Sequence, residues 1–445
     1  MSLAILSARW VVPVTSPVID HGAVLIDGAE IRAVGKREEL RQDYPEATFK
    51  DLGEAAILPG LVNVHTHLEL TLLRGRVEES RFQPWIVQLI TLKAELFSAD
   101  QLLDSARLGC LEAIRSGITT VADTADSLQT VEALREAGLR GIVYQECFGP
   151  ARDQAAAAID LLREKLDRHQ NHLAKAGPAA AARLRIGISP HAPYSVSDQL
   201  YRFATRLAIE NNLDLALHAA ESRAEELLLQ DGSGEFGDSL RRRGIAFTPP
   251  RCSTMAYLHQ LGVLEAAPLL IHGVTIDEAD LSLLAGTGAR LAHCPKSNAK
   301  FGHGVADLHS WQSRGLAVGL GTDSVVSNNS LDLLDEARFC TLLHRAHRAT
   351  PAWPEAAQIL RLLTIDGARA LHLADQIGSL EPGKRADLIA VDLSKPQTIP
   401  VHDPVTTIIF SASARDVVLT MVDGQTLYDG VSVSTIDERR FLPRP

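Results

Sequence analysis

The sequence predicts an α/β protein, a (β/α)8 TIM barrel joined to a small composite β-sandwich domain built from both termini. Three observations predict it. Between residues 57 and 323, apolar strand-like runs alternate with helical patterns about eight times, as in a barrel of parallel βα units. Runs end in residues able to hold a divalent metal or move a proton, namely His65 and His67, His218, His272 and Asp323. Active sites of parallel barrels are assembled at the carboxyl ends of their strands. Both chain ends are β-rich, with Asp-Gly turns, around this long middle.

Taken in order, residues 1–56 carry the short runs Ala4 to Leu6, Ala23 to Ile26 and Ile31 to Val34, with a turn in Leu25-Ile-Asp-Gly-Ala29, and form the first part of the sandwich domain. Residues 57–375 form the barrel. Its strands are expected at Ile57 to His67, Ile118 to Asp123, Gly141 to Cys147, Arg185 to His191, Asp214 to His218, Leu269 to His272, Ala289 to His293 and Ala317 to Asp323. Helical patterns lie between or after them at Ala99 to Ser116, Gln154 to Ala176, Ser197 to Asn211, Asp277 to Ala285 and Leu331 to His347. A doubly wound open sheet shares this local pattern, so closure is an inference. Residues 225 to 260, with Gly232, Gly234, Gly237, Pro249 and Pro250, read as a long insertion after the fifth strand, placed to serve as a lid. Residues 376–445 return to β style in Ala386-Asp-Leu-Ile-Ala-Val-Asp392 and around Asp423-Gly424, completing the composite domain.

Composition narrows the partners. The chain has 445 residues, 46% hydrophobic, with scattered Gly and Pro, enough for a large core. A formal net charge of −11 sets nucleic acid and anionic membrane aside, since polyphosphate affinity needs clustered Lys and Arg and the Arg241-Arg242-Arg243 run is too short. The odd set of Cys110, Cys147, Cys252, Cys294 and Cys340 has no Cys-X-X-Cys spacing, which indicates neither a disulfide framework nor a thiolate zinc site and favours a reducing cytoplasm. Met1 to Val14 lacks a basic leader and a small-residue cleavage site and reads as a strand; no apolar stretch is long enough to span a membrane.

In His65-Thr66-His67 the two imidazoles are at i and i+2, so in a strand they face one point. With His218 and Asp323 from other strands they complete a mononuclear site suited to Zn²⁺. Glu221, three residues beyond His218, can reach water at such a site without ligating, and is the expected proton shuttle. His272 ends too apolar a run, Leu269-Leu-Ile-His-Gly273, to stand there without a partner; it either ligates or hydrogen-bonds the water or substrate. Asp323 is expected to ligate weakly and act as base.

These residues lie in Leu58-Pro-Gly-Leu-Val-Asn-Val-His-Thr-His67, His218-Ala-Ala-Glu221, His272-Gly273, Ala292-His-Cys-Pro-Lys-Ser-Asn298, Gly321-Thr-Asp-Ser324 and Gly378-Ser-Leu-Glu-Pro-Gly-Lys-Arg-Ala-Asp387. Together the motifs resemble the amidohydrolase superfamily, and within it the branch holding cytosine deaminase, guanine deaminase, chlorotriazine hydrolases and S-adenosylhomocysteine/methylthioadenosine deaminases. The resemblance implies one divalent metal, usually zinc and sometimes iron, on His65, His67, His218 and Asp323. It implies Glu221 as proton shuttle, His272 as water-orienting histidine, a homodimer, and hydrolysis of a small heterocyclic amine or nucleoside. The same apparatus serves chlorohydrolases and cyclic amidases.

Pro190-His191-Ala-Pro-Tyr194 resembles the segment whose histidine contacts substrate in adenosine-type deaminases, so His191 is a candidate substrate contact. Trp85 could stack on a heterocycle or pack within a helix. S-adenosylhomocysteine-type enzymes hold the amino-acid carboxylate with arginines near the third strand. Here that strand ends Tyr144-Gln-Glu-Cys-Phe-Gly149, and Arg152 is the nearest candidate. This stretch and Ser324 to Arg338 look more like 6-aminodeoxyfutalosine deaminases. Either way a 6-amino purine would become a 6-oxo purine.

Overall fold

A computed structural model describes residues 3–78 and 81–441. Eight parallel strands form the middle of the chain. They are Leu61–Thr66, Ile118–Ala125, Arg140–Cys147, Leu184–Pro190, Ala216–Ala219, Leu269–His272, Arg290–His293 and Ala317–Leu320. Each pairs with the next in two runs of four. Parallel bridges between Ile188 and Leu215 and between Thr66 and Asp323 join the two runs at both seams. The barrel therefore closes, which periodicity alone left open. At the second seam the Asp323 amide donates to the His65 carbonyl at 2.9 Å, so closure itself brings two site residues together.

The run from Ile57 to His67, expected as one strand, is two. Ala55–Pro59 pairs antiparallel with Leu388–Asp392 in the terminal sheet, while Leu61–Thr66 opens the barrel beside Ile118–Ala125. Gly60 lies at the break, where a Cβ would fall 2.1 Å from the Thr119 hydroxyl; only glycine lets the chain pass so close to the second barrel strand. An apolar run of this length carries no sign of changing sheets.

Barrel interior positions follow the period of two. Val62, Val64, Ala122, Ile142, Tyr144, Ala216, Leu269, Ile271 and Ala292 form one buried cluster with Ala368, Leu371 and Ile377. Side chains thus fill the barrel, as in other barrels of eight strands. The terminal segments build one eight-stranded sheet, ordered Gln425–Tyr428, Val417–Val422, Leu388–Asp392, Ala55–Pro59, Leu3–Val11, Ile19–Asp27 and Glu30–Lys36, with Thr48–Asp51 also beside Leu3–Val11. Both its faces are apolar: Ile5, Ala23 and Leu25 cluster on one, Leu6, Val24 and Ile26 on the other.

Arg140, at the start of the third barrel strand, ties the two parts together. Its guanidinium donates to Asp387 at 2.7 and 3.1 Å and to Asp423 at 2.5 Å, all within reach of the terminal sheet. Removing one member of a buried ion cluster leaves the others desolvated and uncompensated. Arg140→Ala is therefore expected to lower the unfolding free energy by about 3–5 kcal/mol, seen as a lower midpoint in denaturant.

Two segments depart from expectation. The insertion at 225–260 is helical for most of its length, as Arg223–Asp231, Gly234–Arg242 and Thr254–Gln260. Gly232 ends the first helix in the left-handed region, as C-terminal glycines do. A further helix, Phe82–Leu96, follows the first barrel strand. It lacks a side-chain cap and is apolar on most faces, so no amphipathic period announces it.

Candidate active site

At the carboxyl ends of the strands lies a cavity of about 630 Å³, within the usual range for small-molecule sites. His67, His191, His218, Glu221, His272 and Asp323 line it. Phe82, Trp85 and Ile86 of the Phe82–Leu96 helix and Phe236 and Ser239 of the insertion form other walls.

The histidines converge. One nitrogen from each of His65, His67 and His218 lies within 4.8 Å of the others, and the same holds for donor atoms of His65, His272 and Asp323. Asp323 Oδ1 is 3.2 Å from His65 Nε2 and 3.5 Å from His67 Nε2. These residues fit a divalent cation on a specific observation: His65 Nε2 is buried and makes no hydrogen bond, a cost that a metal at this point would remove.

Outer contacts fix the inner ones. His218 Nδ1 donates to the His191 carbonyl at 3.2 Å, and His272 Nδ1 donates to Asn298 Oδ1 at 2.9 Å. In each case Nε2 is left for the cavity side. Asp323 Oδ2 accepts from the Ser297 and Ser327 hydroxyls at 2.6 and 2.8 Å. Its Oδ1 accepts from the Ser324 amide at 2.7 Å. His272 and Asp323 both hold left-handed backbone, at φ 78° and 57°, strain that concentrates at sites where side chains must be aimed.

Electrostatics divide the groups into two kinds. Burial pushes His67 down to about 4 and His272 down to about 3. Burial also drives His218 well below its ordinary value. All three imidazoles are thus neutral, the form that binds metal. Burial alone would raise the Asp323 carboxyl, but His65, with Nε2 3.2 Å from Oδ1, holds it well below the usual range. Glu221 goes the other way: burial, with the charges of Asp323 and Glu225 beside it, raises its pKa well above the ordinary value. Two carboxyls in one cavity are therefore shifted in opposite directions, the pattern of an acid and a base.

Glu221 is held from several sides. Its Oε1 is 3.4 Å from His272 Nε2 and 3.8 Å from His303 Nε2, and Tyr194 donates to Oε2 at 3.4 Å. Glu225 anchors the turn that carries it, accepting from the amides of Ala220 and Glu221 at 2.7 and 3.4 Å. Sequence reasoning misses His303, Tyr194, Asn298 and Glu225 as members of the site. Asn298 closes one of the motifs quoted above, while His303 sits in a loop whose sequence gives no period to read.

The predicted substrate contacts fare unequally. His191 lines the cavity, its ring 4.7 Å from that of His218. Trp85 also lines it, with its ring 4.8 Å from Phe301 and 6.3 Å from Phe82, so packing and cavity lining coincide. Arg152 does not reach the cavity. Its side chain is 69% exposed and pairs with Asp198 at 2.8 Å. Arg243 lines the cavity instead. The third strand supplies Glu146, which the period of two through Ile142 and Tyr144 would have found.

Gly321 shows how tightly the centre is built. A Cβ there would lie 2.9 Å from both the Cβ and the amide nitrogen of His65. Gly321→Ala must displace that histidine, and displacements near 1 Å cost about 10²-fold in rate. A loss of that order, with a parallel fall in bound metal measured by elemental analysis, is the expected result.

Comparison with known proteins agrees with this architecture. Residues 56–427 match the Amidohydrolase family, and residues 22–47 match an imidazolonepropionase-like composite domain of bacteria. A 5-methylthioadenosine/S-adenosylhomocysteine deaminase of Nitratidesulfovibrio vulgaris is 34% identical over 92% of this chain and 88% of its own. One from Syntrophobacter fumaroxidans is 32% identical over 96% and 92%. The crystal structure of an adenosine deaminase from Xanthomonas campestris with bound zinc superposes with a TM-score of 0.81 at 27% identity, covering 98% of this chain and 95% of that one. The Helicobacter pylori aminofutalosine deaminase, at 23% identity and a TM-score of 0.78 over 95% and 99%, shares the fold. The chain belongs to the amidohydrolase family.

Proposed function

We propose that the protein is a metal-dependent aminohydrolase that converts the 6-amino group of an adenine-type nucleoside to a 6-oxo group and releases ammonia. One observation carries the reading: Glu221, its pKa raised, and Asp323, its pKa lowered, face one cavity beside a cluster of histidines. Hydrolytic deamination needs one proton removed from water and one delivered to the ring nitrogen beside the attacked carbon.

His65, His67, His218 and Asp323 would hold a single divalent ion, with zinc favoured by the imidazole-rich donor set. Such an ion lowers the pKa of water toward neutrality and supplies the nucleophile. Asp323, ionised and fixed by two serine hydroxyls, accepts the water proton. His272, held by Asn298, orients the water. Glu221 then protonates the ring nitrogen; the proton that Asp323 took from the water passes to the departing amino group, which leaves as ammonia, and Glu221 recovers its proton from the new hydroxyl as the carbonyl forms.

The 5′ substituent is the open variable. Relatives more than 30% identical and named for methylthioadenosine and S-adenosylhomocysteine support those nucleosides, while the Gln145 to Gly149 stretch supports 6-aminodeoxyfutalosine. The test is ammonia release by the zinc-loaded protein from a panel carrying methylthio, homocysteinyl and aryl carboxylate 5′ groups. Release that is abolished by chelation is expected. No ammonia from any member, or chloride release from chlorotriazines in its place, sinks the reading.

A further inference from the structure

His303 has no part in the chemistry above, yet its ring is turned toward the carboxyl on which that chemistry depends. It follows the Pro295–Lys300 helix, between Gly302 and Gly304, which hold left-handed backbone at φ 67° and 119°. Both glycines are exposed, while the side chain between them is only 6% exposed, so the loop lays one ring inward. That ring stacks on Phe301 at 5.3 Å and meets Phe82 edge-on at 4.6 Å, two residues of the cavity wall.

His303 Nε2 is buried and makes no hydrogen bond, a cost that a partner would remove. Glu221 Oε1 lies 3.8 Å from it. This is beyond hydrogen-bond reach, but the terminal torsion of a glutamate is soft, so the carboxyl can turn to close the gap. Burial holds the His303 ring down to about 4, so the imidazole is neutral and Nε2 carries either the ring proton or a lone pair.

The surroundings of Glu221 favour the proton. Its Oε2 has the Tyr194 hydroxyl at 3.4 Å. Its Oε1 has His272 Nε2 at 3.4 Å, a bare nitrogen because His272 Nδ1 donates to Asn298. Once Glu221 has given its proton to the ring nitrogen, it is a buried carboxylate until the new hydroxyl returns one. During that interval Oε1 faces a lone pair on the His272 side and needs a donor from another.

We propose that His303 is a positioning residue for Glu221, its Nε2–H donating to Oε1 so that the carboxyl is held in one orientation and supported as a carboxylate after proton delivery. His303 itself gains and loses no proton. The effect on turnover rests on the deaminase reading; the contact with Glu221 does not.

The experiment compares zinc-loaded wild type with His303→Phe and His303→Gln, on whichever nucleoside of the panel above releases ammonia fastest. Phe keeps a ring against Phe82 and Phe301 but has no nitrogen, whereas Gln keeps an N–H donor and has no ring. His303→Phe is expected to lower kcat by about 10–10²-fold with KM within about threefold, and His303→Gln to recover at least about fivefold of that loss. A packing role gives the reverse order. A Gln variant no better than Phe, or a Phe variant equal to wild type, overturns the proposal; where His303→Phe does not fold, His303→Ala takes its place. Ring-nitrogen resonances of ¹⁵N-histidine-labelled protein read the contact without turnover. A protonated His303 Nε2, assigned by its absence from His303→Gln, is expected, and a bare one overturns the proposal. If Nε2 is protonated but no nucleoside yields ammonia, the deaminase reading fails and the contact stands. If ammonia is released but Nε2 is bare, this inference fails alone.

Discussion

Glu221→Gln is expected to lower kcat for ammonia release by about 10²–10⁴-fold while leaving bound metal and folding nearly unchanged. The size follows from what the side chain would supply, a proton delivered in the transition state by a group already at the ring nitrogen. Gln has the same shape and can still accept from Tyr194, which approaches Oε2 at 3.4 Å, but it has no proton to give. Folding should be spared because burial and the negative charges of Asp323 and Glu225 already favour the neutral form of this carboxyl. The uncharged amide thus introduces no new desolvation. Metal analysis, thermal unfolding and kcat measured on one preparation separate the possibilities. An equal loss of metal, or a fall in kcat below about threefold against the general acid–base expectation, excludes Glu221 as the proton carrier.

Much of this centre is legible from spacing because closing a barrel imposes a simple rule. Every strand points the same way, so residues at their carboxyl ends meet, however far apart in sequence. His65, His218, His272 and Asp323 come from four different strands yet gather within one cluster, with 3.2 Å between the first and last. Groups that act on the site from outside the strands obey no such rule. His303 reaches Glu221 from a loop, and the Phe82–Leu96 helix reaches the cavity without an amphipathic pattern. Arg152 is misplaced by sequence reasoning for the converse reason: nearness in sequence to a strand end says nothing of direction once the chain has left the strand, and at Arg152–Gln154 it forms a short 3-10 turn whose arginine pairs with Asp198. The break at Gly60 is hidden because two buried strands in different sheets give the same unbroken apolar run.

Asp323→Asn is expected to abolish turnover, with kcat reduced by about 10³-fold or more, and to weaken metal retention. Asn is the informative replacement because the backbone at 323 is left-handed, φ 57°, a conformation Asn adopts more readily than most residues. Structural collapse is therefore avoided and the lost charge is isolated. Ser297 and Ser327 both donate to Oδ2, a pair of bonds that stabilises a carboxylate and that an amide nitrogen, itself a donor, cannot receive. If the amide rotates to present its oxygen to the serines, its NH₂ group turns toward His65 and His67, where Oδ1 now lies 3.2 and 3.5 Å from their Nε2 atoms. One orientation sets donor against donor at the serines, and the other places donors where the cation requires acceptors. Zinc should consequently leave the Asp323→Asn variant at lower chelator concentration than wild type, and the stabilisation that bound metal gives to folding should shrink with it. A variant that keeps both stoichiometric zinc and turnover within about tenfold of wild type would show that Asp323 neither holds the ion nor takes the proton.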